Sequence, residues 1–279
     1  MQRLGIAAYS GLLIRFLWWI SVLLCIGAVS YGDRVFADVE VRTTPVWDGT
    51  LRRIFVPILM YHYVSELPED ADEVRTDLTV TPDMFRAHMR YLSEQGYETV
   101  SLYELNDALA YGKALPAKPV ILTFDDGYID HYTNVFPILE AQGYTGTFFI
   151  ITSRADAQDP AYMTWEQISE MSGTGMSMES HTKTHPDLRE RSRDFLIYEI
   201  LGSYESLKAF TGVSNHMFAY PVGRYDAMTL QIVGELPIWR AVTTQSGALQ
   251  TTDNRLEMPR MRIHGTTTVG GLAGLLRRG

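Results

Sequence analysis

Two adjacent carboxylates and, further along, two imidazoles four residues apart are the side chains with which this sequence could do chemistry. Asp125 and Asp126 close the stretch 118–128, K-P-V-I-L-T-F-D-D-G-Y, whose residues 119–124 are apolar and rich in β-formers. Such a run reads as a strand buried on both faces of a parallel sheet. The two acids therefore stand at its C-terminal edge, where parallel α/β folds bind ligands. Gly127 lets the chain turn away, although Asp-Asp-Gly is also ordinary turn chemistry. The second cluster lies in 176–188, M-S-M-E-S-H-T-K-T-H-P-D-L, where Met176, Met178 and Ser180 alternate as in a short strand. His181 and His185 follow it, and one helical turn would put both rings on the same side, with Pro186 ending that turn. Two neutral imidazoles and one carboxylate form an open ligand set for a catalytic zinc ion, leaving positions for water and substrate. A lone H-x-x-x-H is often a chance surface pair; its pairing with the strand-ending acids is what favours a metal.

A third constellation is 218–224, F-A-Y-P-V-G-R. Pro221 and Gly223 bend the chain straight after a strand, so the Val222 N–H can be left unpaired and aimed at a ligand as half of an oxyanion hole. A plain turn is the alternative.

The elements that must hold these groups alternate along the chain. A strand over 54–61 ends at His62, and the acidic, Pro-containing stretch 65–77 reads as a loop over the site's rim. A helix follows over 82–96, with Thr81 as N-cap, Pro82 in its first turn and Phe85, Met89 and Leu92 at helical spacing. His88 reads as a surface or helix-face residue. Next come a strand over 97–102, a helix over 102–111 and the central strand. Then helices at 129–142, 165–171, 193–211 and 225–236 alternate with strands at 145–152, 176–180, 217–220 and 239–244, before a last strand near Met261. This alternation predicts an α/β parallel sheet wrapped by helices. Seven or eight such units closed into a barrel would bring every strand end to one rim. His131 and His216 read as structural.

At 279 residues and 46% hydrophobic, the chain suits one catalytic domain plus a leader. A formal charge of −9 without a basic stripe argues against nucleic acid as a partner. The single cysteine, Cys25, excludes a disulfide framework within the chain, and it follows Leu24 rather than a small residue, so a lipid anchor is poorly supported. Residues 1–37 read as a signal peptide or N-terminal membrane anchor: Arg3 and Arg15 precede the uncharged run 16–32. Either way the domain is expected outside the cytoplasm, secreted or membrane-anchored. Residues 38–53 read as a linker and 54–279 as the domain.

T-F-D-D-G (123–127) and S-H-T-K-T-H (180–185) resemble the first two signature motifs of the polysaccharide deacetylases, the NodB-homology or carbohydrate esterase 4 family. The resemblance runs from Val56 to the C-terminus through V-P-I-L-M-Y-H-Y-V, L-T-V-T-P-D-M-F, F-P-I-L, M-T-W-E-Q-I and F-A-Y-P-V-G, and is nearest to the branch that handles exported β-1,6-linked N-acetylglucosamine polymers. It implies a distorted (β/α)7 barrel, acting as a monomer on acetylated polysaccharide with one divalent metal ion. Zinc is expected there, and cobalt or nickel would accept the same ligands. Many relatives read Arg-x-Pro-Tyr in the third motif, where this chain has Ala219 and Val222, so Arg260 is expected to supply the missing cation to the catalytic aspartate. A late-strand histidine in a Leu-x-His context serves the family as general acid; here Arg262-Ile263-His264 stands in that place. His62 occupies the family's Tyr-His position and is expected in the pocket wall with Tyr128 and Pro221. Trp239 is expected there as an aromatic wall for a sugar face, or else in the core.

The expected chemistry is amide hydrolysis: metal on Asp126, His181 and His185, Asp125 as base, Val222 N–H on the oxyanion and His264 as acid. An O-acetyl esterase, a small-molecule amidase and a metal-free glycan-binding relative are the alternatives.

Overall fold

The computed structural model describes residues 47–277, so the leader 1–37 and the linker residues 38–46 lie outside the described residues. Among the described residues no helix is long and apolar enough to cross a membrane. The chain runs β1 (Arg53–Phe55), β2 (Ile58–Tyr61), β3 (Tyr63–Val64), α1 (Glu73–Leu78), β4 (Thr79–Val80), α2 (Pro82–Glu94), β5 (Glu98–Thr99), α3 (Leu102–Tyr111) and β6 (Pro119–Phe124). A π-helical turn (His131–Val135) leads into α4 (Phe136–Gln142), β7 (Thr147–Ile150), α5 (Thr152–Asp156), α6 (Trp165–Gly173), β8 (Ser177–Ser180) and α7 (Arg193–Thr211). Then follow β9 (Met217–Ala219), a 3₁₀ turn (Pro221–Gly223), α8 (Ala227–Glu235), β10 (Arg240–Ser246), β11 (Leu249–Thr251), β12 (Met258–Arg262) and α9 (Val269–Arg277).

Seven strands close into a ring in the order β2-β12-β10-β9-β8-β7-β6, with β6 pairing back onto β2. All these pairings are parallel, so the strands' C-terminal ends meet at one rim, as in a distorted (β/α)7 barrel. The distortion has local causes. β8 and β9 share a single register pair, Ser180 with Phe218, and β10 is bulged against β12 between Val242 and Ser246. No helix separates β10 from β12; the connection is β11, which pairs antiparallel with β1.

Several elements differ from the sequence pattern. The strand expected over 54–61 breaks at Val56 and Pro57. Val56 N donates to Ala248 O, and Pro57 has no N–H to continue a ladder. The strand expected over 97–102 shrinks to β5, which pairs outside the ring with the first two residues of β6. The stretch 65–77 is not all loop, because Asp72 caps α1 by accepting from Arg75 N. Helices α5 and α9 carry too short or too Gly-rich a pattern to stand out in sequence.

An aromatic cluster packs under the ends of β2 and β6. Phe124 stacks between Tyr61 (ring centroids 5.5 Å) and Phe148 (4.8 Å), and Phe85 of α2 meets both Tyr61 and Phe124 edge-on. Each buried ring adds about 1.5–3 kcal/mol of apolar burial, and together they fix the strand ends from which the candidate site projects.

His88 corrects a second expectation: it is fully buried, not on the surface. Its Nδ1 meets Tyr61 OH at 3.2 Å and its Nε2 lies 3.0 Å from Thr267 O, so it ties β2 and α2 to the C-terminal segment. Burial lowers its pKa below the usual 6.5. The folded state therefore resists a proton that the unfolded chain accepts, and His88's contribution is present above pH 6.5 and lost as pH falls through its lowered folded value. We expect the urea midpoint of the full chain to drop between about pH 7.5 and about pH 5, and to drop less in His88→Gln. Equal drops in the two proteins would remove His88 from the acid response.

Candidate active site

The β6 strand ends as the sequence pattern predicts, and the chain then turns through Asp126 with φ 79°. That left-handed conformation is unfavourable for a residue other than glycine, and it points the two carboxylates apart. Beyond β8 the chain makes no helical turn. His181 and His185 are brought together instead by left-handed residues at Thr182 (φ 67°) and His185 (φ 60°), leaving the rings 4.9 Å apart. Buried Glu199 of α7 holds this hairpin bend, accepting from Thr184 N (2.9 Å) and Thr184 Oγ1 (2.8 Å). Sequence reasoning missed Glu199; its signal is a carboxylate among the core-facing positions of a long helix.

His181 Nδ1 lies 2.7 Å from Ala219 O, which makes Nδ1 the protonated nitrogen and presents the Nε2 lone pair to the cleft. His181 Nε2 and His185 Nε2 are each 3.4 Å from Asp126 Oδ1, and the three ligand atoms lie within 4.8 Å of one another. Two donors each about 2.1 Å from one tetrahedral ion stand roughly 3.4 Å apart, so the residues present fit a divalent metal. Asp126 Oδ1 is buried with no hydrogen-bond partner, which is the state of a ligand oxygen. Burial, then the neighbouring His181, pushes His185 down to about 4, so its ring is neutral at pH 7 and free to ligate. Burial would raise the Asp126 carboxyl, but His181, His62 and His185 together hold it well below the usual carboxylate range.

Asp125 faces a different partner. Arg260, fully buried on β12, grips it with two bonds of 2.7 and 2.6 Å, and gives two further donors to Thr123 Oγ1 (3.1 Å) and Thr243 O (2.9 Å). Burial alone would raise Asp125; the Arg260 charge and hydrogen bonds outweigh it and bring the carboxyl down to about 2. His62 Nε2 stands 4.0 Å from Asp125 Oδ2, and the His62 carbonyl lies 2.6 Å from His131 Nε2, so buried His131 anchors the site's backbone.

His62, Asp125, Asp126, His181 and His185 line one cleft of about 570 Å³ at the C-terminal rim, with Tyr128, Val222, Thr244 and Arg262. Val222 has φ 55° and is 55% exposed, and its N–H finds no acceptor among the described residues. Gly223 must be glycine: its φ is 68°, and a Cβ there would collide with Thr244 Oγ1. The opposite wall is the α1 segment, with Asp72, Glu73, Arg75 and Asp77. Arg75 lies 3.1 Å over the Tyr63 ring, and Tyr63 stacks 3.7 Å from Tyr128, an arrangement with no readable spacing in the sequence.

Three residues expected in the pocket lie elsewhere. Trp239 precedes β10, at the end of the barrel away from the cleft, where it stacks on His216 at 4.2 Å in the core. Pro221 is buried and shapes the turn without lining the cleft. His264 stands outside the lining residues, 47% exposed, with Nδ1 2.8 Å from Asp77 Oδ1; the neighbouring Gly265 N–H donates to Asp77 O, so this turn clasps α1.

Comparison with known proteins accords with this geometry. The polysaccharide deacetylase family description matches residues 112–240. The Bacillus subtilis protein YxkH, provisionally described as a polysaccharide deacetylase, is 31% identical over 220 residues, covering 79% of this chain and 75% of that protein. The poly-beta-1,6-N-acetyl-D-glucosamine N-deacetylase of Escherichia coli K12 is 27% identical over 68% of this chain, which spans only 34% of that relative. The solved structure of the Streptococcus pyogenes deacetylase PplD in complex with acetate superposes with a TM-score of 0.75 at 32% identity, covering 81% of this chain and 99% of that one. The chain belongs to the polysaccharide deacetylase (NodB-homology, carbohydrate esterase 4) family.

Arg260→Gln removes the guanidinium bonded to Asp125, so burial is then opposed only by the weaker influence of His181 and His62 and the carboxyl rises. The acid limb of kcat/KM should then move towards neutral pH, and Arg260→Lys should recover part of the shift. An unchanged profile in Arg260→Gln would show that Asp125 owes its charge to something else.

Proposed function

We propose that the protein is a metal-dependent hydrolase that removes N-acetyl groups from N-acetylglucosamine-containing polysaccharide, yielding acetate and a free amine. The observation that carries this reading is a buried Asp125, paired with Arg260, beside the convergent Asp126, His181 and His185 ligand atoms in one open cleft. The name of the Escherichia coli relative supports the β-1,6-linked polymer as the first substrate to try. A polymer of this kind lies outside the cytoplasm, so the reading includes export by way of the N-terminal segment.

Asp126, His181 and His185 would hold a divalent ion, which when bound polarises the acetamide oxygen and acidifies water at neutral pH. Asp125 accepts the proton of the attacking water on a remaining lone pair, both of its oxygens kept in place by Arg260. The Val222 N–H donates to the developing oxyanion from a turn that is already formed, so no reorganisation is needed. The leaving nitrogen needs a proton. Among the cleft-lining histidines, His62 alone is outside the ligand cluster, so we assign it the acid role that the sequence pattern suggested for His264. His264, held by Asp77 at the rim, instead braces the wall formed by α1.

Acetate release from N-acetylglucosamine polymers of defined linkage, by the full chain, tests the reading. Chelation should abolish release and zinc should restore it. Asp125→Asn should lower kcat by about 10²–10⁴ while metal content stays unchanged, whereas Asp126→Asn should lose the metal itself. His62→Gln should lower kcat by at least about 10²-fold, and His264→Gln should retain most of it. The reverse ranking would return the acid role to His264. Metal-restored hydrolysis of O-acetyl esters with no action on any N-acetylated polymer would overturn the substrate class.

A further inference from the structure

The ring of strands has one weak seam. β7 and β8 share four register pairs, from Thr147 with Ser177 to Ile150 with Ser180, whereas β8 and β9 share only Ser180 with Phe218. On either side of that pair, β8 reaches β9 through side chains. Glu179 Oε2 accepts from Met217 N at 2.8 Å and from His216 N at 3.0 Å. Two residues on, His181 Nδ1 meets Ala219 O at 2.7 Å. Alternate residues of a strand point to the same side, so Glu179 and His181 stand one above the other, and their partners Met217 and Ala219 are spaced in the same way.

Glu179 is 1% exposed, and burying a carboxylate is costly unless hydrogen bonds replace its water. Besides the two backbone N–H groups, Ser177 Oγ (2.7 Å) and Tyr103 Oη of α3 (2.9 Å) donate to its Oε1, so all four donors are neutral. Strands that pair along their length, as β7 and β8 do, need no such carboxylate. One rung below a ligand histidine it has a use. An imidazole ligand is aimed by the group bonded to its other nitrogen, which also selects the tautomer. Here that group is a β9 carbonyl, so the register of β9 against β8 decides which nitrogen of His181 faces the cleft.

We propose that Glu179 is a positioning residue for His181: it clamps β9 onto β8 in the register that puts the Ala219 carbonyl on Nδ1 and leaves Nε2 for a metal ion. The inference rests on the reading of Asp126, His181 and His185 as metal ligands, while the register itself is a property of the folded chain.

Glu179→Gln and Glu179→Met in the full chain separate the clamp from simple packing. The glutamine can turn its carbonyl to the two β9 N–H groups and its amide to the Ser177 and Tyr103 hydroxyls, which also accept, so it should behave as wild type. The methionine fills the space without an oxygen acceptor and should lower zinc affinity, measured by competition with a chelator, by about 10-fold or more. Leu272→Ala, a core truncation on α9, should lower Tm without that loss of affinity. In the metal-free chain under mildly alkaline conditions, ring-nitrogen NMR should show His181 protonated at Nδ1 in wild type and Glu179→Gln, and exchanging between its two nitrogens in Glu179→Met. Should Glu179→Met fail to fold, Glu179→Asp, which keeps the charge but withdraws the acceptor by one methylene, should show the same losses. A wild-type chain that binds no zinc would defeat the metal reading, and the NMR comparison would still decide the clamp. Wild-type zinc affinity with an unchanged Nδ1 signal, in whichever of these two variants folds, would overturn the role of Glu179.

Discussion

The buried pair between Asp125 and Arg260 is the interaction on which the rest of the site depends. Both side chains are nearly sealed from solvent, at 3% and 0% exposed. Taking two charges out of water costs several kcal/mol per ion, and such a pair is tolerable only with close geometry and further hydrogen bonds. The two bonds are short and bidentate, and Thr123 and Thr243 take two of the three other guanidinium donors. β6 and β12 are not neighbours in the ring, since β2 lies between them, so the pair also ties the barrel across a strand. One interaction thereby sets the charge of the candidate base, its orientation and the closure of the barrel beneath it.

Backbone strain is concentrated where that pair leaves room for chemistry. Of the six non-glycine residues with positive φ among the described residues, Asp126, Thr182, His185 and Val222 belong to the cleft and its ligand loop. Each such conformation costs about 1–3 kcal/mol and persists only where its surroundings over-determine it. Glu199 supplies that restraint for the histidine loop, and the fit of Gly223 against Thr244 supplies it for Val222. The result is a set of ligand atoms and a free N–H already in position, which spares a catalyst the cost of organising them during reaction.

The two ends of the barrel differ because all seven strands run the same way. Their C-terminal ends carry short polar turns that point acids and imidazoles into one cleft. Their N-terminal ends carry buried side chains such as Trp239 and Arg240, held by packing and by Asn106. Trp239 and Thr244 stand five residues apart in sequence, yet one sits in the core at the far end and the other lines the cleft, so nearness in sequence to a site residue says little about membership of the site.

What the sequence by itself determined was local and directional. An apolar β-rich run ending in Asp125 and Asp126, a short strand ending at His181, and regular alternation of strand and helix were enough for a parallel sheet wrapped by helices with its ligands at the strand ends, and the family resemblance added the closed barrel. That held because strand direction, burial and chain breaks are encoded within a few residues. The tertiary structure decided the geometry of the long-range pairings. Arg260, expected from the missing third-motif cation, reaches Asp125 across 135 positions with two bonds, while the pairing of the exposed His264 with Asp77 across 187 was not foreseen. His62 rather than His264 lines the cleft, and Glu199 holds a loop that a helical spacing seemed to explain. These contacts follow from ring closure and left-handed turns, which bring distant residues together by shape rather than by spacing, and no periodicity in the chain records them.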